Sequence, residues 1–119
     1  MIKFEEINEV EFPQFKGGNG ITKNRMFADE NVKIMRVVLE KGSSIGIHTH
    51  TTNSEIIYII DGIARCSIDG KEEIVKKGEC HYCPKGSTHS ILNENEEDLV
   101  MCCVVPEQWL NIVEKNDKE

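Results

Sequence analysis

Four histidines and five cysteines are the residues of this chain best suited to hold a metal or to react. Two of the histidines, His48 and His50, are separated by one residue and followed by Glu55. Side chains at i and i+2 of a β-strand project from the same face, so both imidazoles can reach one ion. Glu55 lies across a short loop, Thr51 to Ser54, from which the chain can return antiparallel and offer a carboxylate oxygen. A third histidine, His89, sits after a Pro-x-Gly turn at the start of another short strand. Three neutral imidazoles and one carboxylate suit a six-coordinate divalent metal with two positions left for water or substrate. Manganese, iron, nickel or cobalt fits such a set better than zinc, which is possible but favours four ligands. Taken singly, each residue has a plainer reading: an H-x-H in a loop is often just polar, and a lone histidine often packs in a turn or core.

The cysteines invite a rival site. Cys80-His81-Tyr82-Cys83 has C-x-x-C spacing, and Cys102-Cys103 resembles a second ligand pair. On extended backbone, however, residues i and i+3 face opposite ways, as do i and i+1. A zinc knuckle needs a tight turn between its cysteines, and only Pro84, after the second one, offers such a signal. Reduced packing thiols are therefore the expectation for Cys66, Cys80, Cys83, Cys102 and Cys103, an odd set that cannot pair completely.

The remaining composition excludes several function classes. Fourteen Lys and Arg against 21 Asp and Glu give a net charge of −7 over 119 residues. An acidic surface of this kind repels nucleic acid phosphates and anionic membranes. The longest apolar run, Leu99 to Val105, is far shorter than the roughly 20 residues that span a bilayer. Nor does the start, Met1-Ile2-Lys3-Phe4-Glu5-Glu6, have the apolar core of an export signal. A single domain over residues 1–119 and a cytoplasmic location are expected.

The elements that must position the histidines are short strands. Turn signals recur at Gly17–Gly20, Asp29–Asn31, Lys41-Gly42, Asp61-Gly62, Asp69-Gly70, Lys77-Gly78, Pro84–Gly86 and Asn93–Asp98. Between them lie Thr22–Phe27, Val32–Leu39, Ile47–His50, Ile56–Ile60, Ala64–Ile68, Glu73–Val75, Cys80–Cys83, Ser90–Leu92 and Leu99–Val105, rich in β-branched residues. Strand-length stretches at this spacing predict an all-β sandwich or barrel. Asp69-Gly70 is the strongest hairpin signal, because positive φ in a two-residue loop suits the strand twist. One short helical turn is expected after Pro106, over Glu107–Val113, with a frayed tail at 114–119.

The two histidine stretches read Gly42-x5-His48-x-His50-x4-Glu55-x6-Gly62 and Gly78-x5-Pro84-x-Gly86-x2-His89-x3-Asn93. At every defining position they resemble the paired motifs of the cupin superfamily, over residues 42–93. The resemblance implies a double-stranded β-helix, or jelly roll, of the small single-domain RmlC-like kind with a metal inside the barrel. Carried over position by position, the metal ligands are His48, His50, Glu55 and His89. The cupin barrel hosts dioxygenases, decarboxylases, isomerases, lyases, ligand sensors and storage proteins, so the chemistry must be read from the pocket. Two readings follow: a metalloenzyme acting on a small organic acid, sugar derivative or carbonyl compound, or a non-catalytic metal-containing binding module. Small cupins commonly dimerise, so a homodimer is expected. The N-terminal segment, residues 1–20, with Phe4, Ile7, Val10, Phe12 and Phe15, packs on its own barrel or across that dimer, the dimer being slightly favoured.

Alternation from Glu55 turns Ile57 and Ile59 inward and Ile56 and Tyr58 outward, and alternation from His89 turns Ile91 and Asn93 inward. These, with Met35, form a largely aliphatic candidate lining. Before Pro84, either Cys80 with Tyr82 or His81 with Cys83 faces the pocket, which leaves Tyr82 and His81 both open as acid–base candidates. Arg25, Arg36 and Arg65 lie on expected strands. Any of them could clamp a carboxylate, although ordinary solvated arginines are the simpler reading. Met101 and Trp109 read as core or rim packing.

Overall fold

The computed structural model describes residues 1–108. Its strands are β1 (Val10–Pro13), β2 (Ile21–Ala28), β3 (Val32–Leu39), β4 (Ser44–Thr49), β5 (Glu55–Asp61), β6 (Ile63–Ile68), β7 (Lys71–Lys76), β8 (Cys80–Cys83), β9 (Thr88–Leu92) and β10 (Leu99–Pro106). They make two antiparallel sheets, one in the order β1-β2-β3-β10-β5-β8 and one in the order β4-β9-β6-β7. β10 returns to lie between β3 and β5, which closes the jelly roll that the family resemblance implies. Among the described residues, no helix is long and apolar enough to cross a membrane. The helical turn expected over Glu107–Val113 falls outside the described residues, apart from Glu107 and Gln108, as do Trp109 and the tail.

The strands alternate as a half-buried sheet must. Along β10 every second residue is buried (Leu99, Met101, Cys103 and Val105), and these meet Leu39, Val37 and Met35 of β3 with Ile57 and Ile59 of β5. The facing sheet contributes Ile45, Ala64, Cys66, Val75 and Ile91. Burying one such aliphatic side chain contributes about 1.5–3 kcal/mol, and this shared core is what holds the two sheets together. Asp69 and Gly70 both take positive φ, 48° and 82°, and join β6 to β7 in the two-residue hairpin expected of them.

Two local features bear on the site. β1 pairs with β2, so residues 10–13 of the N-terminal segment pack on the chain's own sheet, one of the two expected destinations. The second feature falls in β4, where the pairing with β9 slips between Ile45 and His48. Strict alternation from the buried Ile45 would turn Ile47 inward. The irregularity instead leaves Ile47 70% exposed and aims His48 into the barrel.

Candidate metal centre

Four donor atoms, one each from His48, His50, Glu55 and His89, lie within 4.8 Å of one another. β4 supplies His48 and, just past its end, His50. Glu55 is the first residue of β5, and His89 is paired directly opposite His48 on β9. The Nε2 atom of His89 is 3.0 Å from that of His50 and 3.1 Å from that of His48. Glu55 Oε1 is 3.2 Å from His50 Nε2 and 3.1 Å from His89 Nε2. His89 is fully buried, and the side chains of His50 and Glu55 are 11% and 12% exposed.

The partners of the opposite ring nitrogens determine what this cluster can hold. His48 Nδ1–H donates to Gly46 O at 2.7 Å, since a carbonyl can only accept. Asn53 Nδ2 donates to Glu107 Oε1 at 3.0 Å, which turns Asn53 Oδ1 toward His50 Nδ1 at 2.5 Å. The third ring meets another histidine, with His89 Nδ1 3.0 Å from His81 Nε2. His81 Nδ1–H in turn donates to Glu73 Oε1 at 2.8 Å, leaving Nε2 of the neutral His81 ring as acceptor for His89 Nδ1–H. With the protons so placed, all three Nε2 atoms present lone pairs to one point beside a carboxylate. Lone pairs gathered this closely require a cation between them, either protons or a metal ion.

The spacing fits a metal. Two donors at right angles about an ion with bonds of about 2.1 Å sit about 3.0 Å apart, against about 3.4 Å at the tetrahedral angle. The 3.0, 3.1, 3.1 and 3.2 Å separations match the right-angled arrangement. Without metal, protons take over. Burial alone would raise the Glu55 carboxyl, but hydrogen bonds and charge from His50 and His89 outweigh it and hold it at about 2. The Glu55 hydrogen bond raises His50, and burial lowers His48.

Beside the cluster opens a cavity of about 400 Å³. Its aromatic and aliphatic wall includes Phe12, Phe15, Met35, Ile45 and Val105, and its charged groups besides the cluster are Lys16 and Lys33. Neither lysine takes part in an ion pair among the described residues, although the chain carries an excess of seven negative charges. Thr22 Oγ1 and Asn24 Oδ1, on two further wall residues, are buried without a protein partner.

Several sequence candidates stand elsewhere. Of the pocket candidates Ile57, Ile59, Ile91, Met35, Arg36 and Cys80, only Met35 is on the cavity wall. Ile57, Ile59 and Ile91 do point inward, but they are at most 1% exposed and belong to the packed core, because the cavity opens toward β2, β3 and the N-terminal segment. Arg36 neighbours the inward Met35 and so lies on the outer face. Arg25 is tied to Ile7 O and Glu9, and Arg65 to Glu72 and Glu94. On β8 it is His81 and Cys83 that turn inward, both fully buried. Cys80 and Tyr82 are exposed on the outer face, which removes one from the lining and the other from acid–base work there. His81 itself faces Nδ1 of His89 rather than the cavity. All five cysteines are free and none joins the donor cluster. Burial pushes the Cys66 thiol up to about 12 and Cys83 up to about 11, as suits packing groups. Cys80 differs from the packing expectation by lying at the surface.

Sequence reasoning missed Phe12, Phe15 and Lys16 as cavity wall, along with Lys33 and Asn53. Alternation through the buried Met35, Val37 and Leu39 carries back to Lys33 and could have placed it inward. Nothing local marks Lys16 or Asn53, whose positions depend on distant strands.

Comparison with known proteins agrees with this architecture. The family model described as Cupin domain matches residues 35–105. The oxalate-binding protein of Thermotoga maritima is 29% identical over 112 residues, covering 88% of this chain and 92% of that protein. A crystal structure from Thermotoga maritima, described as a predicted oxalate decarboxylase, superimposes with a TM-score of 0.84 at 26% identity. It covers 90% of this chain and 98% of that one. The pectin degradation protein KdgF of Dickeya dadantii is 22% identical over 98 residues, 82% of this chain and 89% of that protein. With the family model matching residues 35–105, more than half its length, and the barrel closed around them, this chain belongs to the cupin family.

Proposed function

We propose that this cupin holds one divalent transition metal on His48, His50, Glu55 and His89 and takes a small organic acid into the adjoining cavity. The carrying observation is the convergence of three Nε2 lone pairs and a carboxylate at right-angled spacing. That spacing favours manganese, iron, nickel or cobalt over zinc. A metal so bound supplies Lewis acidity, or a site where substrate and oxygen meet. The chain's own part is to bind and orient. Lys16 and Lys33 attract a carboxylate into the cavity, Phe12, Phe15 and Met35 exclude water, and Thr22 and Asn24 offer unused hydrogen-bonding capacity. The reaction class is that of a metal-dependent dioxygenase, decarboxylase, isomerase or lyase. The name of the Thermotoga relative supports an acid ligand.

A second reading, a non-catalytic binding module, is favoured by one feature. Among the described residues, the cavity wall apart from the metal ligands carries only two lysines and the buried Cys103 as titratable groups, with no carboxylate to act as base.

The test begins with purification without chelator and elemental analysis of the wild type and His50→Ala. One ion per chain is expected in the wild type, and loss of most of it in a still-folded His50→Ala. Full occupancy of that variant would overturn the site. The loaded protein is then offered small mono- and dicarboxylates, with calorimetry and product analysis in parallel. Turnover supports the enzyme, whereas tight binding of one acid without product supports the module. Lys16→Ala is expected to weaken acid binding about tenfold at unchanged metal content, the loss of one charge-assisted contact.

A further inference from the structure

Resting on that metal reading, the geometry points to His81 and Glu73 as positioning residues that set the proton of His89 from outside the metal cavity. His81 is fully buried on β8, on the inward face, yet it is absent from the cavity wall. Its ring and that of His89 are 7° from parallel with centroids 5.2 Å apart. Since the nitrogens themselves are 3.0 Å apart, the two rings meet edge to edge in nearly one plane rather than face to face. An N–H in such an arrangement lies along the acceptor lone pair, which is the strong geometry for a hydrogen bond.

With a singly protonated His81 ring, the chain of contacts allows one proton order. The Glu73 carboxylate, with a side chain 44% exposed, can only accept, so His81 carries its proton on Nδ1. His81 Nε2 then accepts from His89 Nδ1–H, and His89 Nε2 is left bare for metal. The ring is held in both tautomer and plane. His48 and His50 receive the same service locally, from Gly46 O and from Asn53 Oδ1. His89 alone among the three depends on a second histidine and, through it, on a carboxylate at the surface. Outer groups of this kind typically change metal affinity by about 10- to 100-fold.

The probe is Co(II) alone, titrated at one fixed pH into metal-free protein against a chromophoric chelator, with the visible spectrum of the Co(II) form recorded. His81→Leu, which fills the space without an acceptor, is expected to weaken Co(II) binding about 10- to 100-fold and to alter the spectrum. His81→Gln places an amide oxygen near the same point and is expected to recover binding to within about threefold, along with the wild-type spectrum. Glu73→Ala acts from the surface, where it leaves the core intact, and should weaken binding about three- to tenfold. A folded His81→Leu that binds Co(II) like the wild type with the same spectrum would overturn the inference. Should His81→Leu fail to fold, an unchanged affinity in Glu73→Ala overturns it instead. A wild type that binds no Co(II) is a different result, which overturns the metal reading and this inference with it.

Discussion

His48, His50, Glu55 and His89 derive their chemistry from their neighbours. A carboxyl as buried as that of Glu55 would ordinarily be raised, yet contact with two histidines holds it at about 2 against an ordinary 4.5. In the metal-free protein this depressed value is a source of stability with a definite sign. The contribution is complete above about pH 4.5 and is lost as the pH falls through the folded value near 2. Urea unfolding of metal-free protein between pH 5 and pH 3 is therefore expected to show declining stability in the wild type and a flatter course in Glu55→Gln. Parallel curves would contradict the Glu55 contribution. That His48, His50 and Glu55 could share one site was legible in the sequence from the i, i+2 spacing and the following turn, whereas His89 joined them through the paired-motif resemblance. The choice between His81 and Tyr82 was not legible, since alternation on β8 offers two phases and only the facing strands select one.

At the scale of elements, the site depends on how the N-terminal segment meets β4. Gly18 and Gly46 lie so close that a Cβ on Gly46 would run into the carbonyl oxygen of Lys16 and come within 2.7 Å of Gly18 N. Gln14 and Lys16 take left-handed backbone, φ 51° and 55°, in the turn that follows β1. This turn carries Phe15 and Lys16 to the cavity wall. Gly46 also supplies the carbonyl that orients His48, so one residue seats the segment and aims a ligand. Gly46→Ala is accordingly expected to cost about 1–3 kcal/mol by overpacking against backbone. The measurement is thermal unfolding of the metal-free variant, where a lowered Tm is expected and an unchanged one would show that the segment yields freely. From composition, the apolar content of residues 1–20 marked a packing segment. Its destination was out of reach, because the turn between β1 and β2 is held by contacts with β4, which lies well beyond it in the sequence.

At the scale of the whole molecule, the outer face of the six-stranded sheet carries an apolar row. Register places Phe27, Ile34, Val104, Ile56 and Tyr82 in one row across five adjacent strands, β2, β3, β10, β5 and β8. Tyr82 is 54% exposed and Ile56 37%. A continuous apolar row on an acidic chain suits a second copy packed sheet against sheet. Light scattering is expected to give twice the chain mass for the wild type, and Tyr82→Glu to shift it toward monomer with metal content unchanged. A monomeric wild type would overturn the dimer.

Taken alone, the sequence determined the class of fold, nine of the ten strands among the described residues, the Asp69-Gly70 hairpin and, through its paired motifs, the four residues that cluster. The strands and the hairpin follow from short-range rules of turn chemistry and side-chain alternation. Tertiary structure decided the rest. It packed Ile57, Ile59 and Ile91 into the core and opened the cavity elsewhere. It buried His81 behind His89, and it introduced the slip in the β4–β9 pairing that lets the buried Ile45 and the inward His48 share one strand. Each of those outcomes depends on which strands become neighbours across the two sheets, and that is settled by closure of the whole barrel.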